Sequence, residues 1–89
     1  MKLQDTVLVD VVGRLRKVEG QIGGIIRMIE SGRECTDVVT QISAAAKALD
    51  RAGFRILASG LRDCIADPKG AGEQGYDEEL LERLFLKLA

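Results

Sequence analysis

The chain has 89 residues, 46% of them apolar but only 3% aromatic, with no Trp and no His. That is the profile of one small domain, residues 1–89, built on Leu, Ile, Val and Ala helix packing, with a single-chain core that is marginal at best. The absence of His excludes serine–histidine hydrolysis, histidine acid–base chemistry and the commonest metal ligand.

No stretch has the length and apolarity needed to cross a bilayer or to act as an export signal, so a cytoplasmic protein with no membrane partner is expected. In that compartment its two cysteines are free thiols, ligands or redox groups rather than a structural staple. The net charge of −1 conceals a division. Residues 1–62 carry ten Lys or Arg against seven Asp or Glu, a balance of +3, whereas residues 63–89 carry three against seven, a balance of −4. The basic groups sit on the predicted long helices and the acidic excess on the C-terminal segment.

Asp5 or Thr6 is a suitable N-cap for the first helix. From there Leu8, Val11, Leu15, Val18, Ile22, Ile25 and Ile29 recur at spacings of three and four, a heptad-like seam that predicts a long helix. Val7, Val12 and Ile26 broaden the stripe, as a bundle helix requires. Gly13, Gly20, Gly23 and Gly24 each cost up to about 1 kcal/mol relative to Ala. Closely approaching backbones are the expected compensation.

Ser31 and Gly32 end this helix, and the short connection through Arg33 and Glu34 predicts an antiparallel neighbour. Thr36 is placed to cap the second helix, and Asp37 and Cys35 lie at its positive end. Its apolar residues, with Ala45, Ala46, Ala52, Gly53 and Gly60 interleaved, cover more than one narrow stripe. Asp67 and Pro68 stop it. Residues 70–75 read as a flexible polar connector, and Asp77 caps a short amphipathic helix whose apolar face is Leu80, Leu81, Leu84, Phe85 and Leu88. Three turns are unstable alone and must dock.

Cys35 and Cys64 lie twenty-nine residues apart on the second helix. At about 1.5 Å of rise per residue their backbones are roughly 43 Å apart, so they cannot meet within one chain. A second copy lying antiparallel would bring Cys35 of one chain to Cys64 of the other, with a two-fold axis between Leu49 and Asp50. The expected fold is therefore all-α, with three helices per protomer, a dimeric antiparallel four-helix bundle and a dimer-of-dimers tetramer in which the last helix joins dimers. Taken alone, each cysteine is equally well explained as a small buried hydrophobe.

Lys47, Arg51 and Arg55, spaced by four, share one face of the second helix; Arg14, Arg16, Lys17 and Arg27 lie off the seam of the first. Each alone reads as a solvated surface charge. Together, doubled by two-fold symmetry, they form a surface suited to phosphate. No Gly-rich phosphate loop, paired carboxylates or other catalytic constellation occurs, so no enzyme is expected.

The stretches RLRKVEGQIGGIIRMIE (14–30), CTDVVTQISAAAKAL (35–49) and LRDCI (61–65) resemble the copper-sensitive operon repressor family, the CsoR/RcnR type of bacterial transcriptional repressor. The resemblance implies a disc-shaped tetramer that binds operator double-stranded DNA through basic faces of its first two helices and releases it when the thiol site is occupied. Arg14, Lys17 and Arg51 are the residues it implies for phosphate or groove contact. Copper sensors in the family resemble Cys, then His-x-x-x-Cys; here Gly60 stands at the His position, so a Cu(I) site keeps two soft thiolates and lacks its third ligand. Nickel and cobalt sensors need several histidines.

The persulfide-sensing branch keeps both cysteines without the His, and the chain is most similar to it. That branch implies a small reactive sulfur inducer, a persulfide first formed at Cys35, and a bridge of two or more sulfurs to Cys64 of a second copy. It implies no cofactor. Two other readings stand beside it: a Cu(I)-responsive repressor using the same thiolates, and a structural helical oligomer with buried core cysteines.

Overall fold

The computed structural model describes residues 3–89, which form four helices and no strand: α1 (Asp5–Glu30), α2 (Cys35–Ala66), α3 (Pro68–Glu73) and α4 (Glu78–Leu88). The all-α class is as expected, with one helix more than the three predicted. The added helix is α3, where a flexible connector was expected. Its seed is local: Pro68 supplies a pre-set φ at the first helical position, and the Asp67 carboxylate accepts a hydrogen bond from the Gly70 amide at 3.1 Å. A Cβ at Gly70 would collide with that carboxylate, so here glycine permits the cap rather than flexibility. Gly75, at φ +87°, then turns the chain toward α4.

The long helices end as their residues dictate, although their N-termini differ from expectation. Gln4, rather than Asp5 or Thr6, precedes α1 and gives no side-chain cap. Asp5 instead places its charge in the first turn, at the positive end of the dipole. Gly32, at φ +76°, lets the Arg33 amide return to the Met28 carbonyl at 3.0 Å, closing the C-terminus of α1. Glu34 precedes α2 without capping it; Thr36 lies inside the first turn, where its carbonyl accepts from the Thr40 hydroxyl at 2.8 Å. Asp77 caps α4 as expected, accepting from the Leu80 amide at 2.9 Å.

Helices α1 and α2 run antiparallel, with Gln4 Nε2 at the start of α1 reaching Asp63 Oδ1 near the end of α2 at 3.2 Å. The buried face of α1 is Val7, Val11, Val18 and Ile25; that of α2 includes Ala45, Ala52, Ser59 and Gly60. The buried positions are branched on α1 and small on α2, a combination that allows close approach of the two helices. The glycines of α1 play no such part within the chain: a Cβ at Gly13 or Gly20 would meet nothing within 4 Å, and at Gly23 only the Arg27 side chain. Close approach occurs instead at Gly53 on α2, where a Cβ would stand 2.7 Å from Leu88 Cδ1. There α4 lies on α2, with the Phe54 and Phe85 rings tilted at 51° and their centroids 5.5 Å apart.

The molecule measures 54 × 25 × 15 Å, and its smallest dimension is the thickness of one layer of helices. One layer leaves half of each stripe uncovered. Of the α1 seam, Val11, Val18 and Ile25 are buried, while the alternating members Leu8, Leu15, Ile22 and Ile29 are 42–59% exposed. On α2, Ala45 and Ala52 are buried while Ile42 and Leu49 stand about half exposed.

The compact cluster under α3 and α4 consists of Cys64, Ala71, Tyr76 and Leu81, with Leu57 and Leu80 packed against it. Replacing Leu81 with Ala should cost about 2–5 kcal/mol, the usual range for a buried leucine. A lowered urea midpoint with the α1/α2 helicity retained is the expected outcome; an unshifted midpoint would mean that α4 is not docked.

Candidate nucleic-acid interface and thiol positions

The antiparallel register brings basic residues from both long helices to one groove. Its lining includes Arg14, Lys17 and Gln21 from α1, Arg51 and Ala48 from α2, and Asp10 at one end, enclosing about 510 Å³ of open space. Arg14, Lys17 and Gln21 lie on one face because they recur at three and four, and Arg51 joins them only through packing. Arg51 also lines a second groove, on α2, with Lys47, Thr40 and Ser43. It is therefore the residue shared by both.

Two of the predicted basic residues behave differently. Arg16 is exposed and lines neither groove. Arg55 does not stand free on the α2 face with Lys47 and Arg51. Its Nε donates to Asp10 Oδ2 at 2.9 Å, and its side chain is only 28% exposed. Asp10 also holds Arg14, whose Nε lies 3.3 Å from Oδ1. The i,i+4 pair of Asp10 and Arg14 is readable from spacing. The link to Arg55, across 45 positions, is not.

The thiols occupy opposite surroundings. Cys35 is the first residue of α2 and is exposed. Cys64, in the last turn region of the same helix, is 5% exposed beneath α3 and α4. Burial and the nearby carboxylates of Glu78, Asp77 and Asp63 push its thiol up from the ordinary value. Cys64 lines an open surface pocket together with Pro68, Asp77, Glu78 and Glu79.

Beside it, the Tyr76 hydroxyl donates to Asp63 Oδ2 at 2.9 Å, and this bond, with burial and the adjacent negative charge, raises the tyrosine as well. Asp63 thus ties together the start of α1, through Gln4, and the segment before α4, through Tyr76. Sequence reasoning missed Asp10, Asp63 and Tyr76. A lone tyrosine in a chain so poor in aromatics was the available signal for the last of these.

The sequence profile of the metal-sensitive transcriptional repressor family matches residues 9–85, which take in α1 from its second turn, all of α2, the groove and both thiols. The chain belongs to that family. Family members are transcriptional repressors, not enzymes. The chain is 45% identical over 69 residues to the copper-sensing transcriptional repressor RicR of Mycobacterium tuberculosis, covering 78% of this chain and 72% of that one. It is 38% identical over 72 residues to the copper-sensing transcriptional repressor CsoR of Bacillus subtilis, covering 79% and 71%. To CsoR of Mycobacterium bovis it is 39% identical over 74 residues, covering 83% and 60%. No solved structure gives a significant match.

Among the described residues no three His, Cys, Asp or Glu side chains stand close enough to hold an ion. The position where the resemblance implies a histidine is the buried Gly60. No helix among the described residues is long and apolar enough to cross a membrane.

Cys64 and Tyr76 both keep their protons more tightly in the folded chain than in the unfolded one. The unfolded chain releases protons first as pH rises through the ordinary values of 9.0 and 10.0, so their contribution to stability is full below pH 9 and is lost above it. Urea midpoints measured from pH 8 to 10.5 should decline, and Tyr76→Phe should flatten the upper part of that decline. A native profile that is level or rising would contradict the protonated pair.

Proposed function

We propose that the protein is a DNA-binding transcriptional repressor whose operator affinity is switched by a dithiol site formed between two antiparallel copies, Cys35 of one with Cys64 of the other, and that reactive sulfur species are its inducer. The observation that carries this reading is the placement of an exposed thiol and a buried thiol at opposite ends of one helix of 32 residues, next to a seam left half uncovered. Neither sulfur has a partner thiol in its own chain. A second hairpin laid on Leu8, Leu15, Ile22, Ile42 and Leu49 would bury that seam and bring the opposite ends together. A further pairing of dimers gives the tetramer, acting in the cytoplasm.

The chemistry follows from the two environments. The exposed Cys35 thiolate attacks the sulfane sulfur of a persulfide donor, forming a Cys35 persulfide and releasing the donor as its thiol. Cys64, whose proton is held by burial and by negative charge, is the slower, resolving group. Once deprotonated, it attacks the Cys35 sulfur of a second copy, forming a disulfide and expelling hydrosulfide; the donor has supplied the oxidising equivalent. A trisulfide bridge arises when a second donor molecule first adds its sulfane sulfur to the Cys35 persulfide, leaving as its thiol, and Cys64 then attacks the middle sulfur of that chain and expels hydrosulfide. The covalent link favours an arrangement of the bundle that no longer offers its basic grooves to DNA together.

Two groups of residues bind DNA on this reading. Arg14, Lys17 and Arg51 contact phosphates from the main groove, and Lys47 extends it along α2. Substituting Arg51 with Ala should weaken binding across sequences and reduce the slope of log affinity against log salt by about one. Fluorescence anisotropy with a labelled duplex at several salt concentrations reads both quantities. An Arg51→Ala protein with native affinity and native slope would remove the groove from the interface.

A Cu(I)-responsive repressor is the second reading, favoured by the copper-sensing function named for the relatives. It leaves two soft thiolates as ligands between copies, with no third side chain supplied by this chain. Non-reducing mass spectrometry after treatment with a persulfide donor separates the two. The expected outcome is chains linked through Cys35 and Cys64, with operator release, and no linkage in Cys35→Ser or Cys64→Ser. Release on Cu(I) addition alone, without any cross-link after persulfide, would overturn the sulfur reading in favour of copper.

A further inference from the structure

We infer that Asp10 is a built-in competitor for DNA phosphate: its carboxylate occupies, between Arg14 and Arg55, the place a phosphate oxygen takes when the groove closes on a duplex. The inference rests on the reading that the groove lined by Arg14, Lys17 and Arg51 is the DNA face.

One carboxylate here holds guanidinium groups from two helices, at 2.9 Å to Arg55 and 3.3 Å to Arg14, and it lines the same groove as Lys17 and Arg51. A negative charge in a surface meant for phosphate subtracts from the field there, at distances well inside a Debye length of about 10 Å. All three partners remain partly exposed, and such pairs are held weakly enough to be exchanged.

The Arg55 guanidinium is also incompletely used. Its Nη1 is buried and has no hydrogen-bond acceptor, while its Nε is satisfied by Asp10. That donor is enclosed by the chain and lies on the far side of the guanidinium from Nε, so a phosphate meets Arg55 on the edge that Asp10 now holds. Exchange of carboxylate for phosphate then releases Asp10 to solvent and engages Arg14 and Arg55 together. The device lowers both the affinity of the resting surface and its attraction for arbitrary polyanions.

The test compares the native chain with Asp10→Asn, both fully reduced, by anisotropy with a labelled random-sequence duplex. Asp10→Asn should bind more tightly at low salt and lose affinity more steeply, by about an extra threefold between 50 and 200 mM salt for each additional phosphate that the variant neutralises. In the Asp10→Asn background, Arg55→Gln should cost more affinity than in the native background, because Arg55 is no longer neutralised. Affinity that is unchanged or weaker in Asp10→Asn, with native helix content, would overturn the inference and leave Asp10 as a residue that only positions the arginines. Should the Asn variant lose helicity, Asp10→Ala repeats the measurement with a better helix former. Failure of the underlying reading is distinguishable, since it appears as an Arg51→Ala protein whose affinity and salt slope match the native ones.

Discussion

The packing of α1 on α2, which buries Val7, Val11, Val18 and Ile25 of the first helix and Ala45, Ala52 and Ser59 of the second, is the contact on which every other arrangement in this chain depends. Branched side chains against small ones allow a close antiparallel approach, and heptad spacing on both sides holds the register. From that register follow the meeting of Arg14 and Lys17 with Arg51, the bridge from Asp10 to Arg55 and the contact of Gln4 with Asp63. None of these pairs is close in sequence except Arg14 with Lys17. The groove is a product of packing, and a slip of one heptad between the two helices would scatter its charges.

The same contact leaves the molecule one layer thick. A hairpin that buries Val11, Val18 and Ile25 while exposing Leu8, Leu15, Ile22 and Ile29 has used only half of its apolar seam. The exposed half accounts for an apolar content that a chain of this size cannot cover by itself. Under the proposed function the length of α2 matters as well: a rod with an exposed thiol at one end and a buried one at the other pairs them only through a second copy.

The two ends of α2 divide the chemistry by environment. At one, Cys35 faces solvent on the first turn; at the other, Cys64 lies among Ala71, Tyr76 and Leu81, with acidic residues lining the same pocket. Burial and the neighbouring carboxylates make the Cys64 thiol less acidic than usual and close it off, whereas Cys35 is open to solvent. Asp63 next to Cys64 bonds both Gln4 and Tyr76, so the buried thiol sits beside the point where the start of α1 is attached to the C-terminal helices.

The residues by themselves determined the two long helices, their antiparallel turn at Gly32, the stop at Asp67 and Pro68 and the cap at Asp77, because each of these is governed by forces within a few positions: periodicity, φ preference and side-chain capping. They also carried the family, through the runs around Arg14 and Cys35. They misled at residues 70–75, where glycines suggested a loose connector and the Asp67 cap with Pro68 made a helix. Only the tertiary structure decided that Arg55 is held by Asp10, that Arg16 stands apart, and that Cys64 and not Cys35 is enclosed. Those outcomes depend on which residues of distant segments face one another, and a periodic pattern specifies a face without naming its partner.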